Sequence, residues 1–245
     1  MTLTVGSLFS GIGGFDLGLE RAGMHVEWQV ENNEFCRQVL KKHWPSTPCH
    51  YDITQIDWRD IPRVDLICGG FPCQPFSVAG KRGGKADDRY LWPEVVRCLD
   101  ALRPTWFLGE NVPGLINLAL DQVCIDMESL GYAVWPVCVP ACAVDAPHRR
   151  ERVWIIAYHQ CERGTRGSEA AIQGKPALER RENGRRVTHF SRVPAISQPV
   201  LCRVGYGLSG SLDRLRGLGN AVVPQVVEAI GRMILEADKC NDTRF

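Results

Sequence analysis

A chain of 245 residues, 44% of them hydrophobic and 23% charged, has the size of one ordinary domain with a small appendage, and wholesale disorder is excluded. No apolar run approaches the roughly 20 residues that span a bilayer, and the opening Met1-Thr2-Leu3-Thr4-Val5-Gly6 lacks the basic start of a signal peptide. Eleven cysteines without a Cys-x-x-Cys spacing predict free thiols in a reducing, cytoplasmic setting and no metal site.

Residues 2–9 read as a short buried strand that ends in the glycine turn Gly11-Ile12-Gly13-Gly14. Apolar Phe15, Leu17, Leu19 and Ala22 then suit a helix closed by Gly23. A second strand is expected over 25–30, a second helix over 34–43 and a third strand over 64–68. Further strands fall at 106–108 and 153–157, with a helix over 118–130 between them. Strands alternating with helices predict an α/β fold with a doubly wound, mostly parallel sheet and ligands at the carboxyl ends of its strands. Residues 160–198 differ: they are rich in Gly, Arg, Glu and Ser and punctuated by proline, which predicts a small irregular insertion. Charge reverses there too. Residues 61–148 carry seven Lys/Arg against ten Asp/Glu, whereas 149–192 carry eleven against five, a balance that suits a polyanion. Beyond the insertion, Val226, Val227, Ile230, Met233 and Ile234 mark a helix over 222–237.

Four constellations carry chemistry. Phe9-Ser10-Gly11-Ile12-Gly13-Gly14 lets the backbone approach a ligand closely, and Glu31, about 20 residues on, ends the second strand, where a carboxylate can accept from both ribose hydroxyls. The spacing lacks the six-residue dinucleotide signature, which disfavours NAD and favours another adenosine-containing cofactor. Gly69-Gly70-Phe71-Pro72-Cys73-Gln74-Pro75 sets a cysteine between prolines just past the third strand. The loop after it holds Gly80, Lys81, Arg82, Gly83, Gly84 and Lys85, which suits a lid over a phosphate-rich substrate. Glu110-Asn111-Val112-Pro113 puts a carboxylate at another strand end. In Arg149-Arg150-Glu151-Arg152, Arg150 and Arg152 fall on one face of an extended chain, where guanidinium forks suit an anionic or carbonyl-bearing substrate.

In this order, these elements resemble the DNA cytosine-5 methyltransferases of bacteria and phages. The matching stretches run from Leu8-Phe9-Ser10-Gly11-Ile12-Gly13-Gly14 to Arg216-Gly217-Leu218-Gly219-Asn220-Ala221-Val222 and leave out about 160–198. The resemblance implies a Rossmann-like fold dependent on S-adenosylmethionine, no metal, and methylation of carbon 5 of a cytosine flipped out of double-stranded DNA. It implies a catalytic and cofactor-binding domain over 1–159, a short target recognition region over 160–198 and a return to the first domain over 199–245. Cys73 would be the nucleophile at carbon 6, and Glu110 would bond ring nitrogen 3 and the exocyclic amine from a protonated, buried carboxyl. Arg152 would hold the carbonyl at position 2, and Arg150 would support the cysteine and the substrate phosphate. Around the cofactor, Phe9, Gly11 and Gly13 would surround the methionine part and Glu31 would hold the ribose. Asp52 and Ile53 would lie at the adenine, with Leu91, Asn220 and Ala221 completing the pocket. The family setting implies a monomer in a bacterial or phage-infected cell, with a cognate restriction endonuclease as partner.

Two departures stand out. The recognition region is short, and Asp88-Arg89-Tyr90 replaces the commoner Ser-Arg-Gly. The alternatives are a transfer RNA cytosine-5 methyltransferase on the same scaffold and a catalytically weak DNA-binding relative. The first is opposed by the absence of a Cys-Phe-Thr segment between Gln160 and Gln198, the second by intact Cys73, Glu110, Arg150 and Arg152.

Overall fold

The computed structural model describes residues 2–72, 91–144, 150–159, 188–189 and 221–242. Its strands are β1 (Thr4–Leu8), β2 (His25–Val30), β3 (Cys49–His50), β4 (Leu66–Gly69), β5 (Trp106–Asn111), β6 (Tyr132–Pro140), β7 (Glu151–His159) and β8 (Thr188–His189). Its helices are α1 (Gly14–Ala22), α2 (Glu34–His43), α3 (Trp92–Leu102), α4 (Leu115–Leu118), α5 (Leu120–Ser129) and α6 (Pro224–Asp242). The strands form one sheet in the order β3-β2-β1-β4-β5-β7-β6-β8. From β3 to β5 every pairing is parallel, whereas β7 runs antiparallel to both β5 and β6. A mostly parallel sheet needs cover on both faces, and β4 and β5 accordingly are buried along their whole length.

Two apolar layers supply that cover. On one face Phe15 and Leu19 of α1 join Val227, Ile230 and Ile234 of α6 over Val5, Leu66 and Leu108. On the other, Leu99 of α3 and Val123 and Met127 of α5 pack over Trp28, Ile67 and Phe107. Helices α1 and α6 approach so closely because Gly18 has no side chain: a Cβ there would lie 2.5 Å from Val227 Cβ and 2.7 Å from the Pro224 carbonyl oxygen. A small polar cluster also lies inside the core. Asp16 of α1 is fully buried, and it accepts from Ser7 Oγ at 3.0 Å and from Gln29 Nε2 at 2.6 Å, which ties α1 to β1 and β2. Burial pushes its carboxyl up to about 6, against the lowering effect of those two donors.

The expected elements over 25–30 and 34–43 are present with those bounds, and Gly23 closes α1 in the left-handed region at φ 103°. Others differ. The third strand begins two residues later than expected, at Leu66. The helix expected over 118–130 begins two residues later, as α5 at Leu120, and a short α4 precedes it, parted from it at Ala119, whose φ of −152° is not helical. Helix α3 and strand β6 were not read from the sequence. Strand β6 carries Pro136 and Pro140, residues that remove ladder donors and argue against a strand. Within the expected insertion, only Thr188 and His189 are described, paired in parallel with β6 at Val137 and Cys138.

The close helix contact gives a first test. Gly18→Ala is expected to lose about 1–3 kcal/mol in urea unfolding, because overpacking outweighs the roughly 1 kcal/mol that alanine gains over glycine in a helix. A Gly18→Ala chain as stable as the parent would show that the helices do not meet there.

Candidate active site

The glycine turn after β1 has the backbone its sequence predicts. Phe9, Gly11 and Gly13 have φ values of 51°, 56° and 86°, so three residues of one turn lie in the left-handed region, which is uncommon for Phe. Among the described residues, a Cβ on Gly11 would meet nothing closer than the Phe9 carbonyl oxygen at 4.0 Å, so none of them closes the space over the turn. On Gly13 it would strike Trp44 at 2.4 Å, so α1 and the end of α2 meet closely there. Glu31, just past β2, is 8% exposed, and its carboxylate accepts from the Gly11 N–H at 2.7 Å and the Asn33 N–H at 2.8 Å. Each oxygen keeps a further lone pair, so two ribose hydroxyls can still be accepted. Asp52 is half-buried and caps a single turn, accepting from the Thr54 N–H at 2.9 Å; this bond holds its carboxyl below the ordinary range. Ile53 is buried beneath it. Leu91, half-buried, caps α3 and packs against the α3–α5 layer.

Glu110 and Asn111 end β5 and point to opposite faces of the sheet. The side chain of Asn111 donates to the Phe71 carbonyl at 2.9 Å and accepts from the Val112 N–H, also at 2.9 Å. Phe71 in turn packs on Trp92, with ring centroids 4.8 Å apart. The chain ends that bracket residues 73–90 are thus held side by side in the core. Glu110 lies on the other face, 8% exposed, with Oε1 at 2.8 Å from Arg152 Nε. Burial raises its carboxyl above the ordinary glutamate value, and Arg152 and then Arg150 pull it back.

The antiparallel run of β7 brings these groups together. Asn111 pairs with Val153 and Glu110 with Trp154, so the start of β7 lies beside the carboxyl end of β5. Arg150 does not continue the strand as expected: it precedes β7 with φ 26°, and its Nη2 donates to the Ala221 carbonyl at 2.7 Å. Both arginines nonetheless line one shallow cleft with Glu110, Trp154, Val222 and Val226. Val222 also abuts the glycine turn, since a Cβ on Gly14 would lie 2.8 Å from its Cγ2. The expected carboxylate, both arginines and Ala221 therefore share one neighbourhood with the start of α1. Cys73, Asn220, the expected lid over 80–89 and the basic side chains over 163–192 lie outside the described residues. Asn111 stood in a quoted motif, yet its partner, a backbone carbonyl 40 residues earlier, leaves no signal in sequence.

With this geometry in place, comparisons with known proteins give the family. A profile of C-5 cytosine-specific DNA methylases matches residues 3–190, and the chain belongs to that family. It is similar to the type II methyltransferase M.BsuFI of Bacillus subtilis, 40% identical over 162 residues that cover 64% of this chain and 39% of the relative. It is also similar to M.NlaX of Neisseria lactamica, 37% identical over 159 residues, with 62% of this chain and 50% of the relative covered. The chain thus spans half or less of the length of these relatives. Among solved structures, DNMT2 of Spodoptera frugiperda has a TM-score of 0.57 at 25% identity, covering 66% of this chain and 51% of that one. A DNA modification methyltransferase encoded within an E. coli prophage has a TM-score of 0.55 at 28% identity, covering 64% and 47%. The fold is that of the methyltransferases that depend on S-adenosylmethionine.

The Glu110–Arg152 pair yields a prediction with a definite sign. A carboxyl raised by burial is costly to ionise, so its contribution to stability is present below the unfolded value and lost as pH rises through the folded one. Arg152→Met removes the main opposing charge, so the loss should be larger and extend to higher pH. Urea unfolding should show the variant roughly 1–3 kcal/mol less stable than the parent at pH 8 and much closer to it at pH 4. Adding Glu110→Gln should flatten the difference. An equal deficit at both pH values would show that Arg152 does not act through this carboxylate.

Proposed function

We propose that this chain carries the catalytic and cofactor-binding part of a DNA cytosine-5 methyltransferase. The observation that carries the reading is Glu110, a carboxyl raised by burial at the ligand-bearing edge of the sheet, facing Arg152 and Arg150 across one cleft. The turn at Gly11, which none of the described residues closes over, and the spare lone pairs of Glu31 fit S-adenosylmethionine. Phe9, Gly11 and Gly13 would hold its methionine part, Glu31 its ribose, Asp52 and Ile53 its adenine, and Leu91, Asn220 and Ala221 the remaining wall. When bound, that cofactor supplies an electrophilic methyl group.

The rest of the chemistry belongs to the chain. Carbon 5 of cytosine is a weak nucleophile, and it becomes enamine-like once the Cys73 thiolate bonds carbon 6. Glu110, protonated, donates to ring nitrogen 3 and so accepts the charge that develops there, while its other oxygen accepts from the exocyclic amine. Protonation also releases Arg152 from its ion pair, leaving that guanidinium to donate to the carbonyl at position 2. Methyl transfer to carbon 5 is followed by loss of the proton there and cleavage of the bond between sulfur and carbon 6. Asn111, through Phe71, fixes the segment two residues before Cys73. Arg150 supports the cysteine and the substrate phosphate. The substrate is double-stranded DNA with the target base turned out of the stack. Kinship with type II methyltransferases favours a monomer working beside a cognate restriction endonuclease.

Tritiated methyl transfer from S-adenosylmethionine onto DNA and transfer RNA, side by side, tests the reading. Label is expected in DNA alone, and Cys73→Ser is expected to abolish it while leaving cofactor affinity nearly intact. DNA with fluorine at carbon 5 of cytosine should trap the parent chain in an adduct stable to denaturant, since no proton can leave. Substantial turnover by Cys73→Ser, or label in transfer RNA alone, would contradict the proposal.

A further inference from the structure

Arg97 lies on α3 and belongs to none of the motifs that mark the site. Its guanidinium reaches the single turn Ile53–Gln55, where Nη2 donates to the Ile53 carbonyl and Nη1 to the Ile56 carbonyl, each at 2.7 Å. Its Nε donates to Glu94 Oε2, also at 2.7 Å, and its central carbon lies 5.7 Å from the Trp58 ring centroid. So short a turn leaves its carbonyls without helical partners. A planar fork of fixed spacing satisfies two of them at once, which a lysine cannot do. At the other end of the turn Asp52 accepts from the Thr54 N–H and from Gln55 Nε2 at 3.1 Å. The turn is therefore pinned at its start by its own cap and at its end by Arg97. The same helix is capped by Leu91, so Arg97 joins two segments that wall the proposed pocket.

We propose that Arg97 is a positioning residue for adenine recognition, fixing through the Ile53 and Ile56 carbonyls the turn whose Asp52 and Ile53 take the adenine ring. This rests on the cofactor site proposed above. A half-buried carboxylate such as Asp52 can select the amino group of adenine only if its backbone is held in place, because a turn of three residues has no rigidity of its own. The effect of losing Arg97 should accordingly be specific to that amino group.

Calorimetry on the full chain with S-adenosylhomocysteine and with its inosine counterpart, which has a carbonyl in place of the adenine amino group, reads this directly. The parent chain should prefer the adenine ligand. Arg97→Met should weaken that ligand roughly tenfold, the scale of a lost charge-assisted hydrogen bond, and leave the inosine ligand nearly unchanged. Arg97→Lys, a gentler change with its fold checked by thermal melting, should show the same selective loss, and added methylguanidinium should restore binding to Arg97→Met. Equal weakening of both ligands, or no weakening of either, would overturn the inference. A parent chain that binds both ligands alike would instead remove the adenine assignment on which the inference stands.

Discussion

Two opposed effects act on one carboxylate, and the site depends on which prevails. Glu110 is almost out of water, which disfavours its charge, while Arg152 at 2.8 Å favours it. If the guanidinium prevailed, the carboxyl would be held below the ordinary glutamate range. Burial is the larger effect, and Arg150 adds a smaller opposing one. Arg150 is itself lowered, chiefly by burial and then by its like-charged neighbour Arg152. Two cations and one carboxyl thus share one cleft.

The topology creates this contest. In a parallel sheet, loops leaving the strands' carboxyl ends surround the ligand, and the amino ends lie far away. Because β7 runs antiparallel, its amino end reaches the same edge, so arginines just before and at its start meet a glutamate at the end of β5. Arg150 then spans to the Ala221 carbonyl, and Val222 lies against the glycine turn at the start of α1. The Glu110–Arg152 side and the glycine-turn side are in this way braced by one strut from the distant end of the chain. Close packing of α6 on Gly18 of α1 keeps that strut in place.

Much of this was legible in the sequence, for reasons that differ from element to element. Strand β2 and helix α2 show clear periods and a clean cap, Asn33, whose side chain accepts from the Cys36 N–H. The glycine turn was legible because Gly11 and Gly13 stand where positive φ is needed. Glu110 and Arg152 were visible as motif residues, and the register of β5 with β7 accounts for their meeting. Strand β6 was hidden by its prolines. The break at Ala119 was hidden because Leu118, Ala119 and Leu120 are all good helix formers. The roles of Arg97 and Asn111, which act through backbone carbonyls, were hidden, since a carbonyl partner has no residue type. Asp16, an acid between the apolar side chains of Phe15 and Leu19, was a signal of a buried polar network that spacing alone could not interpret.

The most direct measurement is the carbon-13 titration of the Glu110 carboxyl, with glutamate labelled and the resonance assigned by its disappearance in Glu110→Gln. The account predicts a midpoint above the ordinary glutamate value of about 4.3, because loss of water outweighs the arginines. A midpoint at or below that value would mean that Arg152 prevails, that the carboxyl stays ionised, and that it cannot donate to the base.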